Sequence, residues 1–234
     1  MTADGPTNMA ADEVLLRSAE AGIASLRFYF WSSSTLSLGY FQAERDRLAD
    51  PLLADRPFVR RPSGGGAILH DRELTYCLAL PAGAPWQTAE SWLCRFHHAV
   101  AGALAGLGVA AQAVACGAEK KLGPFLCFQH QTPGDLLIGA GKVVGSAQRR
   151  HRGALMQHGS ILLRQSAHAP ALAGIAELGQ TLVTADVVEK AIRAELRLRT
   201  GWAFEAGDWS AAEREQISRL RDEKYASDLW NRKR

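Results

Sequence analysis

Residues 136–163 read LLIGAGKVVGSAQRRHRGALMQHGSILL, and this stretch decides the fold class. Residues 136–138, 142–148 and 155–163 are β-rich runs, and Gly139-Ala140-Gly141 and Arg152-Gly153 between them have turn chemistry. The spacing predicts a three-stranded antiparallel meander. Upstream, residues 26–31, 36–41 and 58–61 read as strands, and residues 67–69 and 73–80 as a hairpin around His70-Asp71-Arg72. Residues 45–53 read as a short helix or loop. Asn8 is placed to cap a first helix running to about Ala24, with Met9, Glu13, Leu16 and Ala19 marking its turns. Thr88 or Ser91 starts a helix through Leu107 that Gly108 ends, and residues 109–115 follow as a strand.

The remainder is helical. Residues 184–200 place Val188, Ile192 and Leu196 on one stripe, and Gly201 stops the helix. Ser210 and Glu213 form a capping box ahead of a helix bearing Ile217, Leu220 and Lys224-Tyr225. Helices and strands are interleaved, but much of the strand content comes in hairpins. The expectation is therefore an α+β fold with a mixed, largely antiparallel sheet flanked by helices, not a doubly wound parallel one. No linker is visible, so residues 1–234 read as a single domain with its core at about residues 8–230.

Composition excludes several classes. With 47% hydrophobic and 22% charged residues the chain is an ordinary globular one, which rules out disorder as its main state. No apolar run reaches the roughly 18 residues of a membrane helix, and Met1–Pro6 is too polar to open a signal peptide. A cytoplasmic protein is expected, with no membrane partner. The 27 Lys plus Arg against 24 Asp plus Glu leave +3, too little to argue for nucleic acid but compatible with an acidic protein partner. Cys77, Cys94, Cys116 and Cys127 form no CxxC pair and read as free thiols; three of them fit as core filler.

The motifs are ambiguous one by one. Arg60-Arg61-Pro62-Ser63-Gly64-Gly65-Gly66-Ala67 carries three glycines that cost backbone entropy, so the loop is either a flexible surface turn or a place of close approach. Its two arginines suit a carboxylate or phosphate. No G-x-x-x-x-G-K-[ST] occurs, and Gly139, Gly141 and Gly145 miss the dinucleotide spacing by one residue. The seven histidines show no metal-ligand spacing. Taken alone, Cys127 reads as a structural thiol, Lys142 as an exposed lysine and Arg149-Arg150-His151-Arg152 as a solvated turn.

Together the pieces carry more. Asn8-Met9-Ala10-Ala11-Asp12-Glu13, Ser37-Leu38-Gly39-Tyr40-Phe41-Gln42, the glycine loop continuing into Ile68-Leu69-His70-Asp71, Lys142-Val143-Val144-Gly145-Ser146-Ala147-Gln148 and Gln157-His158-Gly159-Ser160 follow one another in order. This set resembles the lipoate-protein ligase, octanoyltransferase and biotin-protein ligase superfamily over residues 8–230. Cys127-Phe128 stands 15 residues before Lys142, as in the single-domain octanoyltransferases of the LipM type, and the chain leaves no room for the accessory C-terminal domain of the ATP-dependent ligases.

The resemblance implies an octanoyltransferase of protein lipoylation. Cys127 would be the nucleophile and Lys142 the cation that favours its thiolate and stabilises the oxyanion. Arg60, Arg61, Ser63, Gly64, Gly65, Gly66, Ala67, His70, Gly145, Ser146, Ala147, His158 and Gly159 would bind substrate. The implied donor is octanoyl-acyl carrier protein, steered by Arg149, Arg150 and Arg152. The implied acceptor is a lipoyl-domain protein, either the glycine cleavage H protein or a 2-oxoacid dehydrogenase E2. No cofactor is needed for thioester transfer. The nearest rival reaction, that of a lipoate-protein ligase, would need ATP and Mg. Within the same fold, the chain could also be an amidotransferase moving octanoyl between lipoyl domains, or a non-catalytic acyl- or lipoyl-domain-binding protein.

Overall fold

The residues with the strongest β pattern form the middle of the molecule. In the computed structural model, which describes residues 1–234, Glu73–Leu80 and Ala154–Leu162 are buried along their whole length. Strands of that kind are covered on both faces. Leu74, Tyr76, Leu78 and Leu80 enter one core, and the alternate Cys77 and Ala79 enter another, as the two-residue period requires.

The chain begins with β1 (Thr2–Ala3), α1 (Gly5–Glu20), β2 (Ser25–Trp31) and β3 (Thr35–Leu38). A helical turn at Glu44–Ala49 and α2 (Pro51–Ala54) lead to β4 (Phe58–Arg60), β5 (Ile68–His70) and β6 (Glu73–Leu80). Then come α3 (Trp92–Gly106), β7 (Gln112–Ala113), β8 (Lys120–Lys121), β9 (His130–Gln131), β10 (Leu136–Ile138), β11 (Gly141–His151) and β12 (Ala154–Leu162). The chain closes with α4 (Ile175–Leu178), α5 (Ala185–Thr200), α6 (Ala211–Leu220) and α7 (Asp228–Asn231). No helix is long and apolar enough to cross a membrane.

Seven strands make the main sheet in the order β1-β2-β6-β12-β11-β10-β7. All of its pairings are antiparallel except β1 with β2. A small sheet, β4-β3-β5, stands beside it with one parallel pair. The expected α+β class and the meander β10-β11-β12 are both present. Arg152 and Gly153 take positive φ at the β11–β12 turn, the geometry that a tight hairpin demands. The helices α3 and α5 cover one face: Phe96, Val100 and Leu104 share a core with Val188, Ile192 and Leu196. Each such side chain contributes about 1.5–3 kcal/mol by leaving water. On the other face Leu15, Leu16 and Ala19 of α1 pack on Cys77, Ala79 and Met156.

Several local expectations are corrected. The cap of α1 is Asp4, whose carboxylate accepts from Thr7 N at 2.9 Å, and the helix ends at Glu20. Asn8 lies buried inside it and donates to Ala3 O (3.1 Å) and Phe30 O (3.0 Å), so it ties the helix to β2. The runs around His70-Asp71-Arg72 are no hairpin, because β5 pairs with β3 while β6 joins the main sheet. Only Gln112 and Ala113 of residues 109–115 are strand. Cys116 is exposed and Cys94 partly so, which leaves Cys77 as the fully buried thiol.

Asp12, fully buried on α1, joins three elements. It accepts from Arg27 Nη1 (3.0 Å) and Tyr29 Oη (2.8 Å) of β2 and from His158 Nδ1 (3.0 Å) of β12. Removing a buried carboxylate leaves its partners without the charge they were arranged around. We expect Asp12→Ala to lose about 3–5 kcal/mol of stability, read as a lower midpoint in urea unfolding, with Asp12→Asn losing less.

Candidate active site

The glycine loop runs from the end of β4 to β5 and is held by backbone contacts. Arg61 N donates to Leu38 O and Tyr40 N to Ser63 O, each at 2.9 Å. Gly65 takes φ +91°, where a side chain is strained. Gly66 serves a different need. A Cβ there would lie 2.9 Å from Cys127 N and 3.0 Å from Cys127 Cα, so only glycine lets the two backbones approach. One residue on, Ala67 N donates to Phe125 O (3.0 Å) and Cys127 N donates to Ala67 O (2.7 Å). The loop is thus a place of close approach, and what approaches is the cysteine segment.

Cys127 opens a single helical turn, Cys127–Gln129, that Phe128 anchors against Ile68 and Leu162. Its thiol is partly exposed and borders a cavity of about 130 Å³. Lys142, on β11, is buried rather than exposed. Its Nζ pairs with Asp135 Oδ2 at 2.7 Å, donates to His130 O at 3.0 Å and to Cys127 O at 3.4 Å, and lies 3.8 Å from Cys127 Sγ. Gly145 makes room for that side chain: a Cβ there would stand 2.5 Å from Lys142 Cε.

The cavity brings together Cys127 and Lys142 with Arg61, Gly64, Gly65, Gly66, His70, Ser146, Ala147, His158 and Gly159. Four of the expected substrate-binding residues do not line it. Ser63 is buried behind His158, with its hydroxyl on Nε2 at 2.5 Å. Ala67 is buried beneath Cys127, and Gly145 serves Lys142. Arg60 is fully buried, and its guanidinium donates to Asn231 O, Gly39 O, Tyr40 O and Gln42 O. It clamps the 39–42 segment to residue 231, with every guanidinium nitrogen already bonded within the protein.

Histidine, serine and threonine line much of the wall, yet their polar atoms are paired with one another. Carbonyls and carboxylates can only accept, which fixes the tautomers. His70 Nδ1 donates to Glu73 (2.9 Å) and its Nε2 accepts from Ser37 Oγ (2.8 Å). His158 does the same between Asp12 and Ser63. His97, behind Ser146, donates through Nδ1 to Gly134 O (2.6 Å), and its single Nε2 lone pair is shared by the hydroxyls of Ser146 (2.9 Å) and Tyr76 (3.0 Å). Burial lowers His70 and pushes His97 down to about 4, which favours the neutral rings these bonds require. With the hydroxyls turned into these networks, the wall offers a bound acyl chain mainly C–H surface.

Asp12 and Ser37 stand inside the motifs quoted above, which assign them no role, while Asp135, Glu73, His97 and His130 carry no mark in the sequence that separates them from ordinary residues of their type. The available signal for Asp135 was the Gly134-Asp135 turn ahead of β10, where its carboxylate accepts from Thr132 N and Oγ1. Turn aspartates are common and mostly exposed, so nothing local marked this one. No group of three or more His, Cys, Asp or Glu side chains is arranged to hold a metal ion.

A family model described as the lipoyl protein ligase A/B catalytic domain matches residues 4–193. The octanoyltransferase LipM of Kyrpidia tusciae is 33% identical, the match covering 96% of this chain and 93% of that protein. The octanoyltransferase LipM of Bacillus subtilis is 32% identical, over 97% and 94%. Among solved structures, a lipoate-protein ligase A bound with ATP superposes with a TM-score of 0.78 at 22% identity, covering 99% of this chain and 96% of that one. A bi-partite lipoate protein ligase of Thermoplasma acidophilum, described with its E2 lipoyl domain, gives 0.74 at 21%, over 99% and 95%. These structures share the fold. With the family model covering most of its length and octanoyltransferases among its relatives, the chain belongs to the lipoyl protein ligase A/B catalytic domain family.

Proposed function

We propose that the protein is an octanoyltransferase of protein lipoylation working through a Cys127 acyl-enzyme. The carrying observation is the Cys127 thiol bordering a largely C–H-lined cavity, 3.8 Å from the Lys142 ammonium. The donor on this reading is octanoyl-acyl carrier protein, and the acceptor is the lysine of a lipoyl domain on an H protein or E2. Cys127 is one of four unpaired cysteines, which supports a reducing, cytoplasmic setting.

The chemistry follows from bond types. The Cys127 thiolate attacks the donor carbonyl, the C=O π pair moves onto oxygen, and collapse expels the carrier thiolate. Thioester is exchanged for thioester, so the step is near balance and needs no ATP. A neutral lysine amine of the lipoyl domain then attacks the Cys127 thioester. It expels the Cys127 sulfur, the ammonium proton of the intermediate passes to that leaving thiolate as the amide forms, and thioester to amide is downhill. Lys142 and the fixed backbone of the glycine loop supply a site that does not reorganise while charge moves from sulfur to oxygen.

Two outcomes test this reading. The enzyme mixed with octanoyl-acyl carrier protein, without ATP, should gain one octanoyl group by intact mass and lose it to hydroxylamine. Cys127→Ala should gain none, whereas Cys94→Ala and Cys116→Ala should be acylated like the parent. A Cys127→Ala protein that still modifies a lipoyl domain, given ATP and free lipoate, would move the chain to the ligase reaction.

The second outcome concerns Gly66. Gly66→Ala pushes a Cβ against the Cys127 backbone and displaces the thiol. It should slow acylation about 100-fold, as misplacements of about 1 Å do, while the thermal unfolding profile keeps its shape. Parent-rate acylation by Gly66→Ala would make the close approach irrelevant to the chemistry.

A further inference from the structure

Acyl transfer through a thiolate carries one negative charge throughout. It starts on Cys127 sulfur, passes to the carbonyl oxygen and leaves on the donor sulfur. A buried site of this kind needs one net positive charge. Two arginine or lysine side chains line the cavity, Lys142 and Arg61. Lys142 is paired at 2.7 Å with Asp135, and both side chains are almost wholly buried, so together they bring the thiol no net charge.

Arg61 is different. It is 2% exposed, and no carboxylate lies within salt-bridge distance of it. Its Nη1 donates to Ser37 O (2.8 Å) and its Nη2 to Gly64 O (2.7 Å) and Gly66 O (2.6 Å), while Nε is buried with no partner. Burial of an unpaired cation costs several kcal/mol by general estimate, so its retention points to an anion that visits the site. Through Gly66 it abuts the Cys127 backbone. Burial lowers Arg61 to about 10, and the charge opposing that shift is Cys127.

We propose that Arg61 supplies the net positive charge that stabilises the Cys127 thiolate and the oxyanion formed from it, and that Asp135 cancels the charge of Lys142 at that place. The proposal rests on the acyl-enzyme reading. The groups that face Cys127 are accounted for. Arg61 approaches through the glycine loop, Lys142 from β11 and Asp135 from the turn before β10. His130 on β9 has its Nε2 on Gly123 O, and Ile68, Phe128 and Leu162 are apolar; His70, His158 and Tyr29 line the same cavity, with Glu73 on His70 and Asp12 on both His158 and Tyr29.

The test is iodoacetamide alkylation of Cys127 against pH, read by peptide mass spectrometry, which involves no acyl donor. Failure here is therefore separable from failure of the octanoyl-acyl carrier protein experiment on the parent protein. Arg61→Met should raise the alkylation midpoint by about one pH unit or more, and Arg61→Lys should restore most of that shift. The charge-neutral pair Lys142→Met with Asp135→Asn should leave the midpoint within about half a unit. A midpoint raised as far by that pair as by Arg61→Met would overturn the proposal and return the role to Lys142. Because Arg61 also holds loop carbonyls, Asp135→Asn alone gives an arm independent of the loop. It unmasks the Lys142 charge and should lower the midpoint, and an unmoved midpoint would overturn the cancellation.

Discussion

The site depends on one close approach, that of the Gly66-Ala67 backbone to Cys127. The bond from Cys127 N to Ala67 O, at 2.7 Å, and its companion from Ala67 N to Phe125 O stitch a loop from the second half of the chain onto the edge of the glycine loop. Without a Cβ at Gly66 the strands of backbone meet; with one they cannot. That contact sets where the sulfur sits relative to β11, and so whether Lys142 Nζ reaches it. The glycines are therefore a packing requirement first, and the shape of the acyl cavity follows from it.

A second constraint is electrostatic. Three carboxylates are buried at the site's margins, and each is spent on a defined set of donors: Asp12 on Arg27, Tyr29 and His158; Glu73 on His70, Thr75 and Ser160; Asp135 on Lys142 and Thr132. Networks in a low-dielectric interior hold their shape only when fully satisfied. Here they also hold Nδ1 of His70 on Glu73 and Nδ1 of His158 on Asp12, which leaves each ring's Nε2 to a serine hydroxyl. A pocket that reads as polar by its residue names is thereby made suitable for an alkyl chain.

The same contrast between name and role applies to the two arginines of the motif. Arg60 and Arg61 are adjacent in sequence, and both suit an anion by chemistry. β4 ends at Arg60, and Arg61 already belongs to the loop that follows, so the two side chains go to different places. Arg60 spends its donors on Asn231 and the 39–42 carbonyls, whereas Arg61 lines the cavity beside Cys127.

By itself the sequence determined what depends on neighbours within a few residues. The meander at residues 136–163, the stripe of α5 with its Gly201 stop at φ +73°, and the Ser210–Glu213 capping box were all legible, because period, turn and cap are local properties. The family motifs were legible as an ordered set. Tertiary structure alone decided the rest. Asp4 rather than Asn8 caps α1, because Asn8 is claimed by Ala3 and Phe30, 22 residues away in the second case. The His70-Asp71-Arg72 turn joins two sheets and makes no hairpin, because β5 pairs with β3 while both edges of β6 are taken by β2 and β12. Lys142 is buried because Asp135 and two carbonyls await its ammonium, and no pattern along one strand can announce what lies across from it.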